Sequence, residues 1–281
     1  MTSRQWEGCN QFDPVGVMTD MPKMYDELAS WWPLLSPASE YEEEAAFYRT
    51  ALEAACERSP RWANAGGAQA PPPRLHVLEL GSGGGHNASH LKAHWEMVLV
   101  EPSSGMRAVS EALNPECEHL AGDMRTVRLR RQFDAVFVHD AVSYMTTEAD
   151  LGNAIATAFE HCKPGGAALF APDYVRENFK PSTDHGGSDA GMRGLRFLSW
   201  TWDPDATDTT YLTDYAYLLR SPDGRIRVEH DRHVEGLFAR ADWLRLLTAA
   251  GFQARAIPLE HSELEPGSHE IFVAKRPTLI R

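Results

Sequence analysis

The sequence predicts an α/β fold, in which a mostly parallel sheet has helices on both faces and carries an inserted antiparallel sheet. Two observations support this fold class. From residue 75 to residue 174, short apolar runs alternate with stretches of helical periodicity, which is typical of βαβ units. Between residues 175 and 238 the helical periodicity stops and long alternating runs follow, which indicates antiparallel strands.

These changes of pattern divide the chain into four segments. They are an N-terminal helical lid with a linker (1–74), an α/β core (75–174), an antiparallel insertion (175–238) and a closing part of the core (239–281). Residues 1–20 are unpatterned and predict an arm or lid, and residues 64–74 form a linker by composition. The helical stretch before the linker has acidic residues in its first turn, Glu42 to Glu44, which suit the helix dipole.

In the core, each predicted strand is followed by a predicted helix. The strands are LHVLEL, MVLVEP, FDAVFVHD and GGAALFAPDY, and the helices are HNASHLKAHW, SSGMRAVSEAL and TEADLGNAIATAFEHC. Ser103 is the expected N-cap of the second helix, and Thr147 begins a capping-box-like sequence at the third. A short β-like segment also precedes AGDM. Alternation of this kind predicts right-handed crossovers in a parallel sheet.

The insertion is predicted to contain three strands after a long loop. Residues 175–194 look like loop, whereas LRFLSWTWDP, TTYLTDYAYLLR and IRVEHDRHVEGLF alternate as strands do. The closing part contains an amphipathic helix, RADWLRLLTAAG, which ends at a glycine, and two strands, FQARAIPLE and HEIFVAKR.

Composition excludes several classes of protein. The 281 residues are 43% hydrophobic and 24% charged, as in globular proteins, and the net charge of −13 argues against a nucleic-acid partner. The four cysteines are scattered without metal-ligand spacing, so no metal site and a reducing compartment are expected. Neither a signal peptide nor an apolar run long enough for a membrane span is present, so a cytoplasmic protein is expected.

A glycine-rich loop between the first core strand and its helix predicts a ligand site. Glu79, Gly81, Gly83 and Gly85 follow the pattern E-x-G-x-G-x-G, and glycines there let a ligand approach the backbone N–H groups. A tight turn without a ligand is the plain alternative. A dinucleotide also stays open, since the looser fingerprint accepts Ala88, whereas a P-loop fails for lack of Gly-Lys-Ser/Thr.

Two further features narrow the ligand to an adenosine without phosphates. Glu101 ends the next strand, where an acid accepts hydrogen bonds from ribose hydroxyls. Asp123 and Met124 follow the third β-like segment, where they would bind the adenine amino group and cover the ring. An acid at the head of the loop, Glu79, would meet an ammonium group. Together these residues describe S-adenosylmethionine (SAM).

With these three motifs in order, the sequence resembles the class I SAM-dependent methyltransferases. The resemblance implies a Rossmann-like sheet with an antiparallel last strand, with SAM as cofactor and S-adenosylhomocysteine as product. It also implies that Glu101 holds the ribose and Asp123 the adenine. The stretches MYDELA, YEEEAAFY and DRHVEGLFARADWLRLLTAAGF are similar to the amino-sugar N,N-dimethyltransferases of antibiotic biosynthesis, which implies an amine acceptor beneath the insertion.

The candidate catalytic residues are titratable groups at strand ends and in the insertion. His139 and Asp140 follow a central strand, at the edge where open α/β sheets keep their sites, and His139 is also a candidate cofactor contact. A histidine beside an acid suits proton acceptance. His185, next to Asp184 in a polar loop, and His233, on the last insertion strand, are further candidates. In the resembled family, a tyrosine matching Tyr25 approaches the cofactor and the substrate.

The predicted function is transfer of a methyl group from SAM to a nitrogen or oxygen of a small polar metabolite by in-line displacement. An amino sugar or another amine is the expected acceptor, without nucleic acid or membrane partners, and the protein is expected to be a monomer or a homodimer. Two alternatives stay open: a non-catalytic regulator that binds SAM or a nucleotide, and an enzyme of the same fold that uses SAM for other chemistry.

Overall fold

The computed structural model describes residues 21–56 and 74–278. The arm predicted for residues 1–20 and nearly all of the linker predicted for residues 64–74 lie outside the described residues, as does Cys9. Cys56, Cys117 and Cys162 are free thiols.

Seven strands form the main sheet in the order β11-β12-β5-β4-β1-β2-β3. Their bounds are β1 (Leu75–Leu80), β2 (Trp95–Glu101), β3 (Glu118–Ala121), β4 (Phe133–Val138), β5 (Cys162–Phe170), β11 (Gln253–Pro258) and β12 (Glu270–Lys275). Strands β1 to β5 pair in parallel, and β12 is antiparallel to both of its neighbours, β5 and β11. The predicted fold class, including its antiparallel last strand, is confirmed.

Six α-helices accompany the sheet in the described residues. They are α1 (Trp32–Leu35), α2 (Glu42–Ala55), α3 (His86–Leu91), α4 (Ser104–Leu113), α5 (Glu148–His161) and α6 (Arg240–Ala249). Both predicted N-caps are confirmed: the Ser103 hydroxyl accepts the Met106 N–H at 3.0 Å, and the Thr147 hydroxyl accepts the Asp150 N–H at 3.1 Å. These caps satisfy backbone donors that the first turn of a helix leaves free.

Strand β4 shows why the core strands are apolar along their whole length. Val136 and Val138 pack in an apolar cluster on one face of the sheet, whereas Ala135 and Phe137 pack with Tyr48 of α2 in a cluster on the other. Because helices cover both faces, successive side chains are buried in opposite directions. Glu101, His139 and Asp140 lie at or just after the ends of β2 and β4, and this carboxyl edge carries the candidate site.

A second sheet of five antiparallel strands is inserted after β5. Its strands are β6 (Ser182–Gly186), β7 (Asp189–Ala190), β8 (Arg193–Trp202), β9 (Thr210–Arg220) and β10 (Ile226–Gly236), in the order β10-β9-β8-β6, with β7 paired to β8. The loop prediction for residues 175–194 is therefore wrong over β6 and β7. Both strands are short, polar and largely exposed, so they lack the apolar alternation that marks a strand.

The two faces of the second sheet differ sharply. On β10, Asp231, His233 and Glu235 are buried against the rest of the protein, while His230 and Arg232 are exposed on the opposite face. We call these the inner and the outer face of the insertion. Since strand side chains alternate, every second residue of β8, β9 and β10 faces inward.

A short N-terminal segment joins the insertion to the main sheet. Residues Lys23–Tyr25 form one turn of 3₁₀ helix, with Met24 fully buried among insertion residues such as Leu195 and Tyr217. The Met24 N–H donates to Asp231 Oδ2 at 2.9 Å. This segment therefore lies between the edge of the main sheet and the inner face of the insertion. In residues 21–56 and 74–278, the helices lack the length and apolarity that a membrane span requires.

Candidate active site

The glycine loop follows β1 in a conformation that only glycine adopts readily. Gly81 and Gly85 have φ of +75° and +74°, in the left-handed region. A Cβ atom at Gly81 would lie 2.4 Å from Ala141 Cβ, and one at Gly85 would lie 2.2 Å from Ser110 Oγ. These positions have no room for a side chain, so the loop can approach its neighbours and a ligand through bare backbone.

Glu101, at the end of β2, is aimed at this loop. Its carboxylate accepts the Gly83 N–H and the Ser103 N–H, both at 2.9 Å, and the residue is 7% exposed. Burial raises the pKa of Glu101, and the two backbone donors partly counteract that rise. An acid held in this way is positioned to accept further hydrogen bonds from a ligand above the loop.

Asp123 and Met124 lie beside the glycine loop and Glu101, after the end of β3. Met124 is 7% exposed, and its methyl group lies close to Gly81, 2.8 Å from where a Cβ would be. The Asp123 carboxylate accepts hydrogen bonds from the Arg125 guanidinium and from the Arg125 N–H at 2.7 Å. Although partial burial raises the pKa of Asp123, these contacts outweigh it and leave the pKa below its usual value, so the carboxylate is ionised.

Among the described residues, six buried polar atoms in and around the loop have no hydrogen-bond partner. They are Glu79 Oε2, Ser82 Oγ, His86 Nδ1, Asn87 Oδ1, Asn114 Oδ1 and Trp32 Nε1. Glu79 is 2% exposed, and burial, with the nearby charges of Asp140 and Glu101, raises its pKa to about 8. Unsatisfied polar atoms are rare in protein interiors, so this concentration indicates that a polar ligand binds here.

His139 and Asp140 lie side by side at the end of β4. The imidazole Nδ1 is 3.2 Å from Asp140 Oδ1, and Nε2 is 3.3 Å from Glu44 Oε1 of α2. Burial alone would lower the pKa of His139, but the two carboxylates hold it well above its usual value. A doubly protonated imidazole has no free lone pair, so the geometry gives His139 the role of a counter-ion for Asp140.

A line of hydrogen-bonded side chains runs from the N-terminal segment into the insertion. Tyr25 Oη and Tyr144 Oη are 3.0 Å apart, and Tyr144 Oη is 2.7 Å from His233 Nδ1. His233 Nε2 is 3.3 Å from Asp231 Oδ2. We call Tyr25, Tyr144, His233 and Asp231 the hydroxyl relay. The Tyr144 hydroxyl donates to Tyr25 Oη, and it can turn to donate to His233 Nδ1 when the imidazole carries its proton on Nε2, directed at Asp231.

Two carboxyl groups stand beside the hydroxyl relay. Asp173 follows β5, and its side chain is hydrogen-bonded to Ser143, while Glu235 on β10 accepts the Thr213 hydroxyl at 2.9 Å. Burial and the charge of Asp140 raise the pKa of Asp173 to about 7, and burial and the charge of Asp173 raise that of Glu235 to about 8. We call Asp173 and Glu235 the carboxyl pair.

His185 is not part of this assembly. It pairs in register with Leu198, which is 53% exposed on the outer face of the insertion, so the His185 side chain also faces outward. Its neighbour Asp184 pairs with Ser199 and faces inward. The assignment of His185 to the site is therefore wrong, because alternation along β6 directs its side chain away from the cleft.

Comparison with known proteins identifies the domain that contains the glycine loop. A methyltransferase domain family matches residues 77–166, which contain β1, the glycine loop and Glu101. A dTDP-3-amino-3,6-dideoxy-alpha-D-glucopyranose N,N-dimethyltransferase from Streptomyces fradiae is 28% identical over 191 residues, which are 66% of this chain and 73% of that protein. The protein carries a methyltransferase domain and is a SAM-dependent enzyme.

Solved structures share the fold of this methyltransferase. The crystal structure of Streptomyces venezuelae DesVI has a TM-score of 0.70 and 22% identity, covering 89% of this chain and 98% of that one. The SAM-bound amino pentose methyltransferase CalS10 from Micromonospora echinaspora has a TM-score of 0.66 and 22% identity, covering 84% and 91%. The fold is therefore shared with these structures over most of the chain.

The polar groups around the glycine loop of the methyltransferase fit SAM. The ammonium of its methionine part would supply donors to Glu79, and its carboxylate would supply acceptors to the Trp32 and Ser82 side chains, which now lack partners. Glu101 offers acceptors for hydroxyl groups, and Met124 offers an apolar surface. The donors and acceptors of SAM thus match the unsatisfied groups in kind.

Four residues of the candidate site were not found from the sequence. They are Tyr144, Asp173, Asp231 and Glu235. Tyr144 lies in a short 3₁₀ segment after β4, which gives no periodic signal. Asp231 and Glu235 alternate with their neighbours on β10 in the same way as His233, so the three side chains face the same side of the strand. Once the strand was recognised and His233 was placed inward, both acids could have been predicted to face inward as well.

The methyltransferase should lose stability as the pH rises, because the carboxyl pair is buried. Glu235 has a pKa of about 8 in the folded state, well above that of an unfolded chain, so its contribution is fully present below about pH 4.5 and is lost as the pH rises toward 8. In ligand-free protein, Glu235→Gln should therefore gain stability over the wild type by about 2 kcal/mol or more between pH 5 and pH 8.5.

This gain is measured as the difference in melting temperature between variant and wild type at each pH. Glu111→Gln, on the exposed face of α4, is the matched control and should show no trend with pH. Parallel curves for Glu235→Gln and wild type would mean that Glu235 is ionised throughout this range.

Proposed function

We propose that this methyltransferase adds methyl groups to the amino group of an amino sugar. The names of the related N,N-dimethyltransferases support this acceptor class. The observation that carries the proposal is the hydroxyl relay, which crosses from Tyr25, at the cofactor side, to Asp231, inside the insertion. Such a line of groups suits a reaction in which a nitrogen must lose a proton as it gains a methyl group.

The cofactor-binding roles follow the positions of the side chains. Glu79 and the backbone of Gly81, Gly83 and Gly85 would hold the methionine part, and Glu101 would hold the ribose. Asp123 and Met124 would hold and cover the adenine. Bound SAM supplies an electrophilic methyl group on a positively charged sulfur. The protein therefore has mainly to hold the acceptor nitrogen near that carbon, which lowers the barrier by restricting orientation.

The hydroxyl relay would take the proton of the acceptor. Burial raises the pKa of both Tyr25 and Tyr144 well above the usual value, so both phenols stay neutral. A neutral phenol can receive one proton while it passes its own to the next group. Once the Tyr144 hydroxyl turns from Tyr25 to His233 Nδ1, the proton would move from Tyr25 through Tyr144 to Nδ1, and Asp231 would stabilise the resulting imidazolium.

Asp140 has a different role in this proposal. It lies close enough to Tyr25, Glu79 and Asp173 to raise the pKa of each. Although burial opposes its ionisation, the charge of His139 keeps the pKa of Asp140 below its usual value. An ionised Asp140 between the cofactor side and the acceptor side would balance the positive charge of the sulfonium.

The partners and the cellular location belong to the same proposal. A small-molecule acceptor, and no nucleic acid, is consistent with the net charge of −13. Cytoplasmic location fits the three free thiols of the described residues. The expectation of a monomer or a homodimer stays a prediction.

The proposal is tested by incubating the enzyme with methyl-labelled SAM and a panel of acceptors that differ in one functional group. Each 3-amino-deoxysugar is paired with the corresponding 3-hydroxy sugar. We expect label in the amino sugars only, with mono- and dimethylated products resolved by mass spectrometry. Label in the hydroxy sugars alone would replace N-methylation by O-methylation, and no label in either would exclude this acceptor class.

A further inference from the structure

Tyr25, the first group of the hydroxyl relay, belongs to a segment that is fastened on two sides. We call residues 23–32 the bridging segment. On the insertion side, the Met24 N–H donates to Asp231 Oδ2 at 2.9 Å, and the same oxygen lies 3.3 Å from His233 Nε2. One carboxylate oxygen therefore holds both the backbone next to Tyr25 and the imidazole of the hydroxyl relay.

On the cofactor side, Ser103 holds the backbone of Tyr25. The Ser103 hydroxyl donates to the Tyr25 carbonyl oxygen, and the Ser103 N–H donates to Glu101 Oε1 at 2.9 Å. Ser103 is 3% exposed, so water competes little for these bonds. One residue therefore joins the carboxylate that would bind the ribose to the backbone that carries the first phenol of the hydroxyl relay.

Two glycines let the bridging segment lie directly against the cofactor side. A Cβ atom at Gly105, in the first turn of α4, would lie 2.8 Å from Ala29 Cβ and 3.1 Å from the Asp26 carbonyl oxygen. A Cβ atom at Gly84, in the glycine loop, would lie 2.6 Å from Trp32 Cδ1. These distances are shorter than van der Waals contact, so the segment would have to move away if either glycine gained a side chain.

The position of Tyr25 decides whether the hydroxyl relay is continuous. Its phenol oxygen is 3.0 Å from that of Tyr144, at the long end of the range for such a bond, so a shift of about 0.5 Å would break it. The Tyr25 carbonyl is held by Ser103, and the N–H of the preceding residue is held by Asp231. Release of either bond would let the phenol move out of reach of its partner.

Glu101 connects the cofactor to these contacts. Its Oε1 accepts the Ser103 N–H and its Oε2 accepts the Gly83 N–H. Ribose hydroxyls that bind this carboxylate would fix its orientation, and with it the first turn of α4, on which the bridging segment lies. Two sites that share a positioning element change each other's affinity by the same factor, because coupling free energies are reciprocal.

On the basis of the proposed function, we propose that Ser103 is a positioning residue that couples cofactor binding at Glu101 to the position of Tyr25. Bound SAM docks the bridging segment more firmly, and the docked segment holds the Tyr25 phenol within hydrogen-bonding distance of Tyr144. The proton of the acceptor then has a continuous route only in the complex that also contains the methyl donor. Ser103 acts on the reaction through Tyr25.

Amide hydrogen exchange of the bridging segment, followed by mass spectrometry, tests the coupling without an acceptor. Exchange of the Met24 N–H reports directly on its bond to Asp231. In the wild type, saturating S-adenosylhomocysteine should slow exchange in residues 24–32 by about tenfold. In Ser103→Ala and in Gly105→Ala this effect should fall below about twofold, and S-adenosylhomocysteine should bind up to about tenfold more weakly, as reciprocity requires.

A matched substitution in α5 separates the coupling from the loss of a helix cap. Thr147→Ala removes an N-cap, as Ser103→Ala does, because the Thr147 hydroxyl accepts the Asp150 N–H. It should keep the full effect of S-adenosylhomocysteine on exchange in the bridging segment. Equal loss of this effect in Thr147→Ala and Ser103→Ala would overturn the inference, since the cause would then be helix stability.

A second control in α5 matches the change at Gly105. Gly152→Ala adds the same methyl group to a helix, but its Cβ would lie 3.9 Å from Leu246 Cδ2, an ordinary contact, so exchange in the bridging segment should respond as in the wild type. The inference is also overturned by undiminished slowing in Ser103→Ala, or by no slowing in the wild type.

Turnover shows whether Ser103 acts through Tyr25. With saturating labelled SAM and the preferred amino sugar, Ser103→Ala should lower the turnover number about tenfold, and Ser103→Thr, which keeps the hydroxyl, should lose less. Adding Ser103→Ala to Tyr25→Phe should lower turnover no further, because the group through which Ser103 acts is already gone. Losses that multiply in the double variant would show that Ser103 does not act through Tyr25.

The two measurements distinguish this inference from the proposed function. If S-adenosylhomocysteine slows exchange in the wild type but not in Ser103→Ala, while no amino sugar is methylated, the coupling holds and the acceptor assignment fails. If amino sugars are methylated while Ser103→Ala responds to S-adenosylhomocysteine as the wild type does, the proposed function holds and the coupling fails.

Discussion

Replacing Tyr144 with Phe should lower the turnover number by about 100- to 1,000-fold, the range of general acid–base contributions, with S-adenosylhomocysteine affinity unchanged. The substitution removes only the Tyr144 hydroxyl, which lies 2.7 Å from His233 Nδ1 and also contacts the hydroxyl of Tyr25. The acceptor would then have no route by which its proton reaches the imidazole. Turnover is measured with labelled SAM and the preferred amino sugar, and affinity by calorimetry.

His233→Gln tests the next group of the hydroxyl relay and should show a loss of similar size. His230→Ala is the control, because His230 lies on the same strand with its side chain exposed on the outer face. We expect its turnover to stay close to that of the wild type. If Tyr144→Phe turned over at the wild-type rate, the hydroxyl relay would have no part in the reaction.

Replacing Glu101 with Ala should raise the dissociation constant for S-adenosylhomocysteine by about 30- to 100-fold, since two hydroxyl groups lose a charged acceptor. The loop also loses the bond from the Gly83 N–H, which fixes its position above β2. Glu101→Gln keeps one acceptor oxygen and should lose less. Binding is measured by calorimetry, with the melting temperature of each variant as a check on folding.

Glu96→Ala is the matched control, because Glu96 lies at the start of the same strand and is exposed beside His76. Its affinity for S-adenosylhomocysteine should equal that of the wild type. An unchanged affinity in Glu101→Ala would show that this carboxylate does not bind the ribose.

The elements of the core could be predicted because their signals are local. The apolar run of β4 reflects cover on both faces, and the Ser103 and Thr147 caps lie within three residues of the N–H groups that they satisfy. The glycine loop, Glu101 and Met124 were predicted in the same way, since parallel strands bring successive carboxyl ends to one edge. A motif at each strand end is therefore close in space to the next one.

The acceptor side depends on contacts between residues far apart in the chain. Tyr25 reaches Tyr144 across 119 positions, and Tyr144 reaches His233 across 89, so spacing in the sequence carries no information on either contact. His185 was predicted to lie in the site, but its side chain faces away from it. In a strand of polar residues, the sequence does not show which side chains face inward, and only the pairing of His185 with Leu198 reveals the direction of its side chain.

The sequence by itself determined the cofactor of this protein, because the glycine loop and the acids at the strand ends follow one another along a regular sheet. Only the tertiary structure decided which groups form the hydroxyl relay, because the register of β10 and the docking of residues 23–25 set those contacts. The carboxylates of Glu44 and Asp140 then gave His139 a charge against the effect of burial, whereas burial kept a proton on Glu235, and both properties depend on neighbours supplied by other elements.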